Sequence, residues 1–345
     1  MLAAAGLDVS EHPFEFSSMP AQFGPPIGAG CMSIALVIAH LMISHRLPGA
    51  ALGVLVAALV SLRAAGKWLV GSGVSIAPWS RISSSNLVAV PRGTVQQPEI
   101  WLVAHLDSKS QTIPMLVRVA SVAASAVFVT ITVVVLAGTL LAGAPATSGF
   151  ALPHESAAIG VAWLAPLFAA ISLVPLLMCF IGNRSAGALD NASGVACVIL
   201  ALEMIRNREK VGVIITSGEE LGLAGARAIA AEIRATGIAL NCDTIDDHGR
   251  FLCMTSGSMP DRLSTAIDRA AMRTGVAIRK SRMLPGILAD NIAFTKRGWD
   301  SFTLSRGNLG TLARVHTSSD RAAKIDGTGI AIAAALLAAT AEELF

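Results

Sequence analysis

The sequence predicts an α/β domain joined to about four membrane-spanning helices, and three observations carry that prediction. Hydrophobic residues make up 53% of the 345 and charged residues only 14%, a mixture too apolar for an ordinary soluble chain, so part of it is expected in lipid. Four apolar runs, at residues 26–44, 50–62, 117–142 and 159–181, supply that part. Beyond residue 182 the composition turns ordinary, and short β-branched runs alternate with stretches of helical period.

Taken in order, residues 1–25 hold no Lys or Arg, so they lack the basic region that opens a signal peptide and are read as a tail. Residues 26–44 (PIGAGCMSIALVIAHLMIS) are close to the ~20 needed to cross ~30 Å of hydrocarbon, with His40 and the thiol of Cys31 as their titratable groups. Residues 50–62 are apolar but slightly short, and span by recruiting Leu47 or the stretch towards Trp68. Strands are expected at 87–90 and 100–104, on either side of a turn containing Pro91, Gly93 and Pro98. The runs at 117–142 and 159–181 predict a second membrane hairpin. A helix at 192–205, strands at 211–215 and 239–243, a helix at 262–275, a strand at 301–304 and an Ala-rich helix at 329–344 follow. The chain therefore divides into a tail and hairpin (1–66), a first part of the α/β domain (67–117), an inserted hairpin (118–182) and a second part of the domain (183–345).

A net charge of +3 and the lack of a basic stripe interleaved with aromatics exclude a nucleic-acid grip. Five cysteines form no Cys-x-x-Cys pair and are read as small buried hydrophobes.

The run VGVIITSGEELGL at 211–223 is the centre of the domain. Its first half is a strand covered on both faces. Glu219 and Glu220 follow just beyond the strand's carboxyl end, where open α/β sheets place their ligands. Like charges so close repel unless a cation or a shared proton intervenes, so a metal site is the economical explanation. Other polar residues at strand ends complete a list: His105 with Asp107, Asp190, Asp243 and His316. Imidazole and carboxylate are a zinc ligand set, and the lack of cysteine favours a catalytic over a closed structural site.

The segments WLVAHLDS (101–108), GALDNASGVA (187–196), TSGEELGLAG (216–225), NCDTID (241–246) and VHTSSDRAAKID (315–326) resemble, in order, the motifs of the M28 zinc peptidases. That family holds aminopeptidases, some carboxypeptidases and, more distantly, glutaminyl cyclases. The resemblance implies a mixed central sheet flanked by helices and a site for two zinc ions. Asp190 would bridge them, His105 and Asp243 would complete one, and Glu220 and His316 the other. Glu219 would be the general base and Asp107 the partner that orients the His105 imidazole. A cis peptide bond after Asp190 is also implied. Asp246 and Asp247 lie close enough to Asp243 to stand in for it. His40, His45, His154 and His248 are read as structural, and His12 as part of the tail.

The sequence also departs from the family. Residues 108–189 separate the His-x-Asp motif from the bridging aspartate and contain the second hairpin, which is expected beside the active-site mouth. PGILADNIAF (285–294) resembles a family segment in which a histidine stands where this chain has Asn291, leaving Asp290 to act behind the site. There is no tyrosine, so an oxyanion would need another donor.

The two parts of the domain must share one side of the membrane to share one sheet. Arg63, Lys67, Lys109, Arg118 and Arg184 flank the runs on that side, whereas residues 143–155 have no Lys or Arg, which predicts a cytoplasmic catalytic domain. His45 and Arg46 in the opposite loop argue the other way. The expected function is a multi-pass, zinc-dependent peptidase, most readily an aminopeptidase, with a peptide as substrate and the lipid bilayer as its surroundings. A glutaminyl cyclase-like transferase using one zinc and a non-catalytic receptor or scaffold are the alternatives.

Overall fold

Residues 1–93, 97–141, 157–233, 237–283 and 286–345 are described by a computed structural model. The chain forms two compact units: Met1–Ser18, Val74–Ser110 and Gly182–Phe345 make the first, Met19–Gly73 and Gln111–Ile181 the second.

An eight-stranded mixed sheet organises the first unit. Its strands are β1 (Leu7–Ser17), β2 (Arg81–Pro91), β3 (Ile100–His105), β6 (Val211–Thr216), β7 (Ile238–Ile245), β8 (Arg250–Thr255), β9 (Ile278–Arg282) and β10 (Asp300–Gly307), in the order β1-β2-β6-β3-β7-β10-β8-β9. Two-residue strands β4 (Ser110–Gln111) and β5 (Ile181–Gly182) mark where the chain passes between units. The central strands β6, β3, β7 and β10 run parallel, so their carboxyl ends gather on one edge.

Every residue of β3 and β6 is buried, as expected for parallel strands with helices on both faces. Ile100, Leu102 and Ala104 point to one side, among Cys197, Val198, Ala201 and Leu202 of α7 (Ser193–Met204) and residues of α9 (Asp261–Thr274) and α12 (Thr328–Glu342). Trp101 and Val103 point to the other, among Ala226, Ile229 and Ala230 of α8 (Ala224–Glu232) and Phe294 of α10 (Asn291–Thr295). Gly212 makes room for this packing, because a Cβ there would stand 2.5 Å from the Trp101 ring. The last α-helix before α12, α11 (Leu309–Arg314), opens with Asn308 as a capping box, accepting from the Gly310 and Thr311 amides.

The expected tail is in fact part of the sheet. β1 pairs antiparallel with β2 from Leu7↔Pro91 to Ser17↔Arg81, so residues 1–18 belong to the first unit and not with the hairpin. It escaped the pattern because it is an edge strand: LDVSEHPFEFS carries charges and Pro13, which edges tolerate, and it buries only its ends, at Leu7, Phe16 and Ser17. The same cause hid β9, whose sequence is IRKSR.

The second unit contains α1 (Met19–Ser44), α2 (Pro48–Trp68), α4 (Met115–Leu141), α5 (Ala157–Ser172) and α6 (Val174–Leu177); the remaining short helix, α3 (Val74–Ile76), begins the return to the sheet. Among the described residues, α1, α2 and α4 are long and apolar enough to cross a membrane. The fourth expected span is broken between α5 and α6, where Pro175 supplies no N–H to continue the ladder. Leu36, Ala39, Leu55, Leu136 and Ala169 form the core of this unit. His40 has a structural partner, with Nδ1 2.9 Å from the Trp163 carbonyl oxygen, while Cys31, read as buried, lies exposed on α1. His154 and the loop at 143–155 lie outside the described residues.

Candidate metal centre

Three parallel strands bring the site together. His105 ends β3 and is in register with Thr216, the last residue of β6, so the chain leaving β6 carries Glu219 and Glu220 past the imidazole. β7 is paired with β3 through Val103↔Asn241, which brings Asp243, two residues further on, level with His105. Asp190 comes from the segment before α7 and follows Gly187 in left-handed conformation. His316 follows α11. Thr244 and His316 are themselves left-handed, at φ 59 and 62, conformations that side-chain-bearing residues adopt at a cost of about 1–3 kcal/mol and that cluster at functional sites.

Asp190 occupies the middle. Its Oδ1 is 3.2 Å from His105 Nε2 and its Oδ2 is 3.0 Å from His316 Nε2. On the His105 side, Asp243 Oδ1 stands 3.7 Å and Glu219 Oε2 3.9 Å from the same Nε2. On the other side Glu220 Oε1 is 3.0 Å from His316 Nε2. Two groups thus have ligand atoms within 4.8 Å of one another, His105 with Glu219 and Asp243, and Asp190 with Glu220 and His316. The peptide bond from Asp190 to Asn191 is cis.

The seven residues singled out from the sequence are therefore brought together, with one change of detail. His105 Nδ1 meets the backbone carbonyl of Asp107 at 3.0 Å, while the Asp107 carboxylate is 3.7 Å away. That carboxylate instead accepts the amides of Glu219 and Glu220, each at 3.1 Å. Asp107 thus orients the imidazole with its backbone and the Glu pair with its side chain. Asp246 and Asp247, the alternatives to Asp243, are committed elsewhere. Asp246 accepts from Thr311 and Arg314, and Asp247 accepts the amides of Asp326 and Gly329 at the start of α12.

Three residues given no part in the site beforehand also build it. Asp320, fully buried, accepts the amides of Leu189 and Asp190 at 2.6 and 3.3 Å and fixes the bridging segment. Asn191 donates to the Cys242 carbonyl and accepts from Gly194 and Thr244, tying that segment to β7. Lys109 places Nζ 2.7 Å from Glu220 Oε2 and donates to the Glu220 carbonyl at 3.0 Å. Sequence reading had assigned this lysine to the membrane boundary. Asp320 and Asn191 stood in quoted motifs, whereas a single lysine near an apolar run carries no signal of its own. Asn291, in the place of a family histidine, is buried against Met254 of β8, and Asp290 accepts from Thr216.

The buried charges perturb one another strongly. Burial would lower the His105 pKa, but the carboxylates of Glu219, Asp107, Asp190 and Asp243 drive it well above the usual imidazole range. His316 is raised in the same way by Asp190 and Glu220 against its burial. Burial pushes Glu219 well above the carboxylate range, opposed by His105 and reinforced by Glu220, Asp243 and Asp290. Burial and neighbouring carboxylates raise Asp290 to about 7. His105 Nε2 and Glu220 Oε1 are buried without a hydrogen-bond partner, although opposite charges stand close by. His316 Nε2 lies within hydrogen-bonding distance of Glu220 Oε2, at 3.1 Å; two imidazole nitrogens converging on buried carboxylate oxygens still suit a metal ion, and the donor set suits zinc.

Residues 173–341 match the sequence model of Peptidase family M28. No curated protein matches the sequence. Among solved structures, a zinc aminopeptidase from Bacillus subtilis aligns with a TM-score of 0.48 and 16% identity, over 76% of this chain and 52% of that one. The aminopeptidase from Aneurinibacillus sp. strain AM-1 gives 0.47 and 14%, over 76% and 48%. A glutaminyl cyclase from Fimbriiglobus ruber gives 0.51 and 13%, over 99% and 83%. The chain spans about half the length of the two aminopeptidases, and the likeness to the cyclase is one of fold.

Proposed function

We propose that this chain is a membrane-bound, zinc-dependent peptidase of the M28 family, acting on peptides as an aminopeptidase. The observation that carries the reading is the Asp190 carboxylate, one oxygen towards each of two buried imidazoles, with Glu219 buried beside it. His105, Asp190 and Asp243 would hold one ion, and Asp190, Glu220 and His316 a second. Zinc held there would polarise the scissile carbonyl and make water acidic enough to attack it at neutral pH. Glu219 takes the proton from the attacking water and delivers it to the leaving amine. Asp107 keeps that carboxylate in place through the Glu219 amide, and the covered strands behind it exclude bulk water.

Arg63, Lys67, Arg118 and Arg184 favour a cytoplasmic catalytic unit by the positive-inside rule; Lys109, engaged with Glu220, leaves that count. A glutaminyl cyclase-like transferase is the second reading, favoured by Lys109, whose charge beside Glu220 is suited to a site that works with one ion.

The deciding experiment exposes a mixed peptide library to detergent-purified protein with zinc, read by mass spectrometry beside Glu219→Ala. Loss of single N-terminal residues that disappears in the variant is expected. Cyclised N-terminal glutamine would support the transferase instead, and no turnover with no bound zinc would leave a binding module.

A further inference from the structure

Lys109 brings a fixed positive charge into a cluster built to bind cations. Its side chain is 16% exposed and that of its partner Glu220 only 5%. The pairing is imposed by the fold and not by a loose surface arm. Lys109 lies two residues after Asp107, whose carboxylate grips the Glu219 and Glu220 amides. The Leu106 amide donates to the Thr216 carbonyl at 2.9 Å, so the segments bearing Lys109 and Glu220 are clamped together where β3 and β6 end. Nζ is bound to both the carboxylate and the carbonyl of Glu220, while both carboxylate oxygens also face His316 Nε2, Oε1 at 3.0 Å and Oε2 at 3.1 Å.

The two halves of the cluster are consequently unequal in charge. Lys109 cancels the charge of Glu220, and a divalent ion within a few ångströms of an ammonium is repelled by it. The charge of Lys109 is also felt by Glu219 and Asp190, but its hydrogen bonds run to Glu220, so the repulsion falls hardest on the position that Glu220 and His316 share.

We propose that Lys109 ranks the two ion positions: zinc fills the position of His105, Asp190 and Asp243 first, and that of Asp190, Glu220 and His316 only at free-zinc concentrations at least about tenfold higher. The proposal rests on the reading of the cluster as a zinc site. It makes Lys109 a positioning residue that sets metal occupancy through Glu220.

The test counts zinc. Full-length protein in detergent is stripped with a chelator, dialysed against buffers of fixed free zinc, and analysed for bound zinc per chain, with circular dichroism as a check on folding. Wild-type protein is expected to load in two steps separated by at least about tenfold. Lys109→Met is expected to bring the second step down by about that factor and leave the first in place. Lys109→Gln, which keeps a donor to Glu220 but no charge, should do the same, and Lys109→Arg should keep the steps apart. Two coincident steps in the wild type, or a second step unmoved in both neutral variants, overturns the proposal. So does a neutral variant that loses the first ion, because Lys109 would then be a scaffold for the whole cluster. Wild-type protein that takes up no zinc at any concentration removes the metal reading itself, and the proposal with it.

Discussion

Asp107 serves two masters, and its substitution separates them. Asp107→Asn leaves the carbonyl that meets His105 Nδ1 untouched but replaces one acceptor oxygen with an amide nitrogen, so one of the Glu219 and Glu220 amides loses its partner. Partners behind a metal site are typically worth about 10–100-fold in affinity or activity. A fall of that size in kcat/KM is expected with the fold intact; activity within twofold of wild type would show that the Glu pair holds itself. Asp246 gives a pH signature outside the site. Burial would raise its carboxyl, but Thr311 and Arg314 outweigh it and hold it below the usual range. A depressed carboxyl contributes stability that is fully present above its unfolded value of about 4 and is lost as pH falls through the folded value. The urea midpoint of Asp246→Asn should therefore lie below that of wild type at pH 7, with the gap closing below about pH 4; a gap that does not change with pH would contradict this. Ligand-type residues were legible because five short motifs recur in order. Lys109 was not, because its meaning is its distance to Glu220, set by two strands far apart in sequence.

At the scale of elements, β3, β6 and β7 were legible because a strand buried on both faces has few alternatives. The edges were not: β1 and β9 carry the charges that keep edges from pairing with other chains, and such charges erase the apolar pattern. The break between α5 and α6 was missed for another reason, since hydropathy counts apolar side chains and ignores the amide that Pro175 lacks. Deleting residues 1–17 tests the largest of these corrections. It exposes the edge of β2 that β1 pairs from Arg81 to Pro91 and removes the buried Leu7 and Phe16. A lower thermal midpoint and a shift to large species in size-exclusion chromatography are expected; an unchanged midpoint would mean that β1 is an ornament.

At the scale of the whole chain, one sheet constrains the topology. β1, β2 with β3, and β6 onward are separated by the two apolar insertions, so if the apolar helices span a membrane, each insertion must cross it an even number of times. α1 and α2 satisfy this. α4 alone is an odd crossing, so the broken α5–α6 segment must return the chain if α4 spans. Reporters fused before Met1 and after Phe345 are expected on the same side, the cytoplasmic one, with a reporter inserted at Gly149 opposite; termini on different sides would refute the arrangement. The interruption also has a consequence for biogenesis. His105 is made long before its neighbour in the sheet, because β6 begins at Val211. At ~5–20 residues per second, roughly 5–20 s separate them on the ribosome. Throughout that interval β2 and β3 lack the strand that belongs between them. On the proposed membrane reading, α4 enters lipid before the sheet closes, so a translocation defect in α4 would surface as a misassembled candidate metal centre even with His105, Asp190, Glu220, Asp243 and His316 intact.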